Sequence, residues 1–272
     1  MHEIESQQVD RLTEAVLTSS KYKSIDVEFI RHIGTQELFK HRNLKEAIKS
    51  TKNKLHQVGG AYQTATPRYS VWLDELKFAR RSGNEAHFLE TCKWIMQYHS
   101  STRERLPILE QFYSTLFANL PPVSSVIDIA CGLHPLAIPW MPLGEHVQYF
   151  AYDIYDDMIS FINEYLALMS VQGSGKVRDV IHSCPTQKVD IAFILKAIPC
   201  LEQVDKSAGL QLLESLNADH LVVSFPAHSL GGKSKGMTAN YESRFYKLIE
   251  HKPWSIQRFE FPGELVFLVS KL

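Results

Sequence analysis

Apolar residues recur at helical spacing through most of the first 120 residues of the chain. Leu44, Ile48 and Leu55 are one example, and the pattern that they form stops at Gly59-Gly60. Spacings of three and four residues place side chains on one face of a helix, and paired glycines interrupt one. No alternation of apolar and polar residues typical of a strand occurs in this stretch. We therefore predict a helical N-terminal region.

After residue 124 the pattern changes to short runs rich in β-branched and aromatic residues, separated by helical patterns. This alternation is typical of βαβ units and a mostly parallel sheet. At the C-terminal end, two predicted strands flank the Pro262-Gly263 turn, which indicates an antiparallel hairpin. The predicted strands are residues 125–130, 147–154, 177–181, 189–195, 221–225, 256–261 and 265–270.

The terminal hairpin bears on the fold class. An α/β sheet that ends in an antiparallel hairpin distinguishes Class I methyltransferases from ordinary Rossmann dehydrogenases. We expect an α/β protein with a Class I (Rossmann-like) methyltransferase domain over residues 99–272, preceded by a helical domain over residues 1–98.

Charge is balanced overall but not along the chain. The 29 basic and 30 acidic side chains nearly cancel, so net charge alone does not indicate a nucleic-acid partner. Residues 40–54, however, hold six Lys and Arg side chains against one acid, Glu46. Lys45, Lys49 and Lys52 fall on one face of the predicted helix. The alternatives are an ordinary solvated face and a phosphate-binding surface.

The remaining composition indicates a soluble protein of the cytoplasm. Hydrophobic residues make up 44% and charged residues 22%, which is typical of a globular chain. The four cysteines form no C-x-x-C pair and have no histidine at metal-ligand spacing, so we expect neither a metal site nor disulfides. Neither a signal peptide nor a membrane-spanning run is evident.

A loop of small residues follows the first predicted strand. Asp128, Ala130 and Gly132 resemble the D-x-G-x-G loop of S-adenosylmethionine-dependent methyltransferases, with alanine in place of the first glycine. Small residues there allow the backbone to approach a cofactor, although an ordinary βα turn is the alternative. Asp153 follows Gly132 by 21 residues at the end of the second predicted strand, where a ribose diol is held.

A second acid completes the predicted cofactor site. Asp179, on the third predicted strand, is placed to accept a hydrogen bond from an adenine amino group. Ile154 and Val180 adjoin the two acids and belong to the same predicted site.

Five segments in the same order resemble the aminoglycoside-resistance methyltransferases of 16S ribosomal RNA, which act on N7 of a guanine in the decoding site. The resemblance covers most of the chain and departs from the family at Ala130 and at His134, where the family usually has asparagine. The segments are LHQ with GAY at 55–62, STRERLP at 101–107, the loop at 128–137, LK-x-x-P-x-LE at 195–202 and SFP-x-x-SLGG-x-x-KGM at 224–237.

The resemblance implies methyl transfer from S-adenosylmethionine and a role for several residues. Arg105 or Arg103 would pair with the cofactor carboxylate, because a guanidinium fork matches a planar anion. Lys196 would lie at the reacting cleft, and Phe225, or else Tyr155, would stack on the target base. These residues would only position the reactants, because N7 of guanine carries no proton and needs no general base.

RNA recognition is the other implied property. The basic residues expected to contact RNA are Lys45, Lys49, Lys52, Lys54, Lys233 and Lys235. The substrate would be 16S rRNA within the assembled 30S subunit, bound by a monomer without metal or membrane. The alternatives are a methyltransferase acting on another RNA or a small molecule, and a non-catalytic ribosome-binding protein. The last alternative predicts loss of pocket groups, whereas Asp153, Asp179 and Arg105 are all present.

Overall fold

Helices occupy most of the chain ahead of the sheet, as the apolar spacing predicts. The computed structural model describes residues 2–227 and 236–271. Asp26 and Asn43 accept hydrogen bonds from backbone N–H groups in the first turns of the second and third helices, which fixes where these helices begin. The helices of this part are α1 (His2–Leu17), α2 (Val27–Lys40), α3 (Leu44–Val58), α4 (Tyr69–Arg81), α5 (Glu85–Met96), α6 (Ser100–Arg105) and α7 (Leu109–Phe117).

The sheet has seven strands in the order β3-β2-β1-β4-β5-β7-β6. The first five in this order are parallel, and β7 is antiparallel to both of its neighbours. Gly263 makes the turn of the terminal hairpin with a φ of +84°. The strands are β1 (Ser125–Ile129), β2 (Gln148–Asp153), β3 (Gln172–Val177), β4 (Val189–Leu195), β5 (Ala218–Pro226), β6 (Trp254–Phe261) and β7 (Glu264–Lys271).

The connections between the strands complete the α/β architecture. Two faces of the sheet carry separate apolar clusters, one of them shared with the N-terminal helices. The helices of this part are α8 (Asp156–Leu168), α9 (Ile198–Val204), α10 (Ala208–Ser215) and α11 (Met237–Leu248). Within the described residues, no helix is long and apolar enough to cross a bilayer.

The prediction of the third strand at residues 177–181 is wrong, because β3 ends where that prediction begins. The true strand contains Gly173 and Gly175 and has little β propensity. A Cβ at Gly173 would lie 2.0 Å from the backbone oxygen of Tyr149, so β3 approaches β2 too closely for a side chain. The Asn163 side chain bonds both backbone polar groups of Gly175 and reinforces this edge strand. Asp179 therefore lies in the turn after β3.

The N-terminal helices join the sheet at the carboxyl ends of its parallel strands. The Asp26 N–H donates to the Ile154 carbonyl at 2.8 Å, and the Asp156 N–H donates to the Ser24 carbonyl at 2.7 Å. Phe29 of α2 and Tyr155 after β2 are buried in the same apolar cluster. The helical region thus covers the edge of the sheet at which α/β proteins bind ligands.

Candidate active site

A cleft lies at the carboxyl ends of β1, β2 and β4, beneath the N-terminal helices. Six of the nine residues predicted for the cofactor lie in its wall, and so does Lys196. These six are Asp128, Ala130, Asp153, Ile154, Asp179 and Val180. Phe29, Val58 and Tyr62 close the cleft from the helical side.

The loop after β1 has two residues in the left-handed region, Ala130 with a φ of +50° and Gly132 with a φ of +53°. A Cβ at Gly132 would lie 2.7 Å from the ring of His99, so only glycine fits there. Ala130 holds a conformation that L-residues rarely adopt. The loop keeps the geometry of a glycine-rich turn even though alanine replaces its first glycine.

Asp153 ties this loop to the end of β2. Its Oδ2 accepts the Gly132 N–H at 2.9 Å, and its Oδ1 accepts the Ile154 N–H at 2.7 Å. Burial raises the pKa of Asp153 to about 6, although its backbone hydrogen bonds act in the opposite direction. Each carboxylate oxygen keeps accepting capacity, and the residue lines the cleft.

Asp128 and His134 belong to a buried hydrogen-bonded chain beside the cleft. His134 Nδ1 donates to Asp128 Oδ2 at 2.8 Å, because a carboxylate can only accept. The Tyr113 hydroxyl therefore donates to His134 Nε2 at 2.6 Å, and Tyr149 donates to the same oxygen of Asp128. His134, where the family usually has asparagine, is thus a buried histidine with both ring nitrogens hydrogen-bonded.

Asp179 is held by two histidines. His32 Nδ1 and His182 Nδ1 lie 2.8 Å and 2.7 Å from its Oδ2, while its Oδ1 accepts the Ile181 N–H. His32 comes from α2 of the helical region, so this cluster also connects that region to the turn after β3.

Four charged side chains form a network that reaches the cleft wall at Lys196. Arg105 is fully buried and makes two hydrogen bonds to Glu264, at 3.1 Å from Nε and 2.5 Å from Nη2. Lys196, which follows β4 with a φ of +58°, bonds Glu104 at 2.7 Å and lies 3.5 Å from Glu264. Arg105, predicted to pair with a cofactor carboxylate, therefore has a protein carboxylate as partner in this structure. Neither arginine lines the cleft, because Arg103 is exposed outside it and Arg105 is fully buried.

Two buried nitrogen atoms in this neighbourhood lack partners. Arg105 Nη1 and His99 Nδ1 have no hydrogen-bond acceptor or donor among the residues that the structure describes. Burial, together with the charges of Arg105 and Lys196, lowers the pKa of His99 to about 4, so its ring is neutral at pH 7. Unpartnered buried polar atoms are costly, and beside a ligand cleft they indicate a missing polar ligand group.

Phe225 is a core residue, which corrects its predicted role in stacking on a base. It is 3% exposed and packs against Tyr241, Phe245 and Phe267, with ring centroids 5.1 to 6.1 Å away. None of these four rings lines the cleft. Tyr155, the other candidate, is buried at the cleft wall against Gly59.

The predicted basic face is largely present on α3. Lys45 and Lys49 are exposed, and Lys52 is half-buried. Lys54 instead bonds the buried Glu37 of α2 at 3.3 Å and is only 17% exposed, so it joins the two helices. Lys233 and Lys235 lie outside the described residues.

The sequence patterns described above did not predict several residues of the site. His99 lies two residues before the STRERLP segment, and this proximity is the signal that could have indicated it. Glu264 is a lone acid at the start of an apolar strand, which is unusual enough to indicate a buried partner. His32 and Tyr62 carry no comparable signal.

The strand order, the antiparallel β7 and the cleft at the carboxyl ends of the parallel strands define a Class I methyltransferase, which confirms the expected fold class. The model of the family described as ribosomal RNA methyltransferase (FmrO) matches residues 18–268. The chain belongs to this family, and the resemblance drawn from its motifs is confirmed.

Similar proteins cover the chain from end to end. A 16S rRNA (guanine(1405)-N(7))-methyltransferase of Micromonospora rosea is 32% identical over 265 residues, 97% of each chain. One of Serratia marcescens is 30% identical over 262 residues, 96% of this chain and 98% of the relative. The crystal structure of the 16S rRNA methyltransferase RmtF with S-adenosyl-L-homocysteine has a TM-score of 0.82 at 28% identity and covers 97% of this chain and 98% of its own. The 16S rRNA methylase RmtB gives 0.77 at 27% identity, with the same coverage.

Proposed function

We propose that this protein transfers a methyl group from S-adenosylmethionine to N7 of a guanine in the decoding site of 16S rRNA. The observation that carries the proposal is the full-length similarity to 16S rRNA (guanine-N7)-methyltransferases, which includes the helical N-terminal region and not only the common core. The methyl group and the positive charge that it creates would interfere with aminoglycoside binding, as the family resemblance implies.

The cleft fits the proposed cofactor. Asp153 and Asp179 offer carboxylate oxygens for the ribose and the adenine ring, at the ends of adjacent strands. The unpartnered Arg105 Nη1 and His99 Nδ1 are suited to the carboxylate of the methionine part, because that group would satisfy both donors. Ala130 and Gly132 keep the intervening loop free of bulk.

The proposed reaction requires the protein mainly to align the cofactor with the target guanine. When bound, S-adenosylmethionine supplies an electrophilic methyl group on a sulfonium. The guanine N7 has a free lone pair and no proton, so no side chain has to act as a base. Lys196 and the neutral His99 at the cleft would orient the reactants, and positioning of this kind contributes up to ~7–11 kcal/mol in favourable cases.

The helical region supplies the surface proposed for RNA. Lys45 and Lys49 project from α3, and Phe39 near the end of α2 is 78% exposed, just ahead of Lys40 and Arg42 in the sequence. Lysines contact phosphates without reading sequence, and exposed aromatic rings stack on unpaired bases. We therefore assign residues 1–98 to docking on folded rRNA and residues 99–272 to methyl transfer. The protein would act in the cytoplasm as a monomer on the assembled 30S subunit.

The direct test is to incubate the purified protein with radiolabelled S-adenosylmethionine and either intact 30S subunits or protein-free 16S rRNA. We expect stoichiometric methylation of the subunit and much less of the free RNA. Reduction and aniline cleavage, which break RNA at 7-methylguanine, would locate a single decoding-site guanine. No methylation of either substrate, or methylation at many guanines, would contradict the proposal.

A further inference from the structure

Three residues that are distant in the sequence direct ligand atoms to one point at the edge of the cleft. His32 lies on α2, Asp179 follows β3, and His182 lies three residues further on. One nitrogen of each histidine and a carboxylate oxygen of the aspartate all lie within 4.8 Å of one another. We define these side chains as the His–Asp–His cluster.

The geometry of the cluster is that of a shared centre. Both Nδ1 atoms approach the same oxygen, Asp179 Oδ2, and the two ring centroids are 3.8 Å apart. Asp179 is buried, whereas the side chains of His32 and His182 are 39% and 38% exposed. The buried carboxylate is thus fixed, and the two rings border solvent from which an ion and its water ligands can enter.

We propose that the His–Asp–His cluster binds a divalent transition-metal ion such as Zn²⁺. Two imidazole nitrogens and one carboxylate oxygen are a donor set that zinc accepts, with water in the fourth position. Such a set favours Zn²⁺ or Co²⁺ over Mg²⁺ and Ca²⁺, which prefer oxygen ligands.

Binding requires only a modest rearrangement of these side chains. Ligand atoms around a tetrahedral zinc with bonds of ~2.0–2.1 Å are about 3.3 Å apart. The two histidines lie 2.8 and 2.7 Å from Asp179 Oδ2, so each half-exposed ring must move away by about half an ångström. The proton now on each Nδ1 moves to Nε2 through solvent, so both rings stay neutral and the carboxylate supplies the single negative charge.

An ion bound at the cluster would link two parts of the chain. His32 belongs to the helical region, whereas Asp179 and His182 belong to the α/β domain. Asp179 and Phe29, three residues before His32 on α2, both line the cleft. A bound ion would therefore hold α2 in place at the end of the cleft where Asp179 lies. This inference rests on the cluster alone and not on the proposed substrate.

Cobalt provides a direct test, because tetrahedral Co²⁺ absorbs visible light. The protein, without a histidine tag, is titrated with CoCl₂ alongside H32A, H182A and H146A variants. His146 is an exposed histidine outside the cluster and serves as the matched control. We expect one Co²⁺ per chain in the unchanged protein and in H146A, with no thiolate charge-transfer band, and at least tenfold weaker binding in H32A and H182A. Circular dichroism establishes that each variant is folded.

A second measurement uses the unchanged protein alone. In ¹⁵N-labelled protein, we expect ZnCl₂ to shift the Nδ1 resonances of two histidines and to leave the proton on Nε2 of both. ZnCl₂ should also raise the melting temperature of the unchanged protein and of H146A, and should not raise it for H32A. Equal Co²⁺ binding by all four proteins, or no binding at millimolar CoCl₂, would overturn the proposed metal site. The cluster would then only hydrogen-bond α2 to the turn after β3.

Discussion

At the scale of single residues, Asp153 combines a structural and a proposed ligand-binding role. It holds the N–H groups of Gly132 and Ile154 and lines the cleft. Burial raises its pKa to about 6, so the carboxylate is ionised at pH 7.5 and becomes protonated a little below neutrality. The charge that the proposed ribose contact requires is therefore sensitive to pH in an accessible range.

We expect Asp153→Ala to weaken S-adenosylmethionine binding by about 1.5–3 kcal/mol, roughly 10- to 150-fold, because a hydrogen bond to a charged group is lost. In the unchanged protein the affinity should be constant above pH 7 and fall as the pH drops through about 6. Asp153→Asn should lose that step, because it cannot titrate. Isothermal calorimetry between pH 5 and pH 8 measures both. Unchanged affinity in a folded Asp153→Ala protein would remove this residue from the ribose site.

Substitutions at the two left-handed residues of the loop after β1 should differ in their effect on stability. Gly132→Ala adds a Cβ that would lie 2.7 Å from His99, in a conformation that costs an L-residue ~1–2 kcal/mol. Ala130→Gly removes the same conformational penalty at residue 130. Glycine loses more conformational entropy on folding, and this reduces the gain in stability by ~0.5–1 kcal/mol. We expect Gly132→Ala to lower the free energy of unfolding by more than about 2 kcal/mol and Ala130→Gly to change it by less than about 1. Urea denaturation compares them, and similar effects of both would contradict the strain argument.

At the scale of elements, the terminal hairpin carries one buried and one exposed ion pair. Glu264 at the start of β7 is buried with Arg105 and Lys196, which lower its pKa despite its burial. Glu260 on β6 pairs with Arg258 at the surface, at 2.7 Å. The two glutamates form a natural comparison, because both lie in the terminal hairpin, whereas one is buried and the other is at the surface with an arginine that also pairs with Glu242.

Glu264→Gln should destabilise the protein by about 3–5 kcal/mol, because it leaves the buried Arg105 charge uncompensated. Glu260→Gln should cost less than ~1 kcal/mol. The pKa of Glu264 is lower in the folded chain than in the unfolded one, so its contribution is fully present above about pH 4.5 and is lost as pH falls through the folded value. Denaturation curves at pH 7 and pH 4 measure the difference. An equal, small effect of both substitutions would show that the buried pair contributes no more to the free energy of unfolding than the exposed pair does.

The element scale also shows what the sequence could predict. Gly132 and Asp153 follow two strands that are consecutive in the sequence and paired in the sheet, so the local pattern is sufficient to predict that they lie close together, and the Gly132 N–H does donate to Asp153. The contact between Arg105 and Glu264 spans 159 residues, and that between His32 and Asp179 spans 147. No local periodicity encodes such pairs. The third strand was misplaced because close backbone approach at Gly173, and not β propensity, determines it.

At the scale of the whole molecule, docking and methyl transfer are assigned to different parts of the chain. Lys196 lies in the cleft wall, bonded to Glu104, and is not part of the α3 surface. Lys196→Ala should nearly retain 30S binding and reduce single-turnover methyl transfer on the order of 100-fold, as small misplacements of reactants do. Lys196→Arg, which keeps the charge, should recover part of the rate. A loss of 30S binding that matches the loss of rate would place Lys196 in docking and not in catalysis.

The complementary prediction concerns the α3 surface. Replacing Lys45, Lys49 and Lys52 with glutamate should weaken 30S binding and leave cofactor affinity unchanged, because these side chains do not line the cleft. Phosphate contacts act through counterion release, so the loss should be greatest at low salt, and the dependence of log affinity on log salt should become less steep by ~0.7–0.9 for each lost contact. The matched control makes the same charge change at Lys176, Lys206 and Lys247, which are exposed at scattered positions of the α/β domain. Filter binding to 30S subunits from 50 to 300 mM KCl compares the two variants. If both weaken binding equally, overall charge and not the α3 surface drives association; if the α3 variant binds normally, that face is only solvated and docking occurs elsewhere.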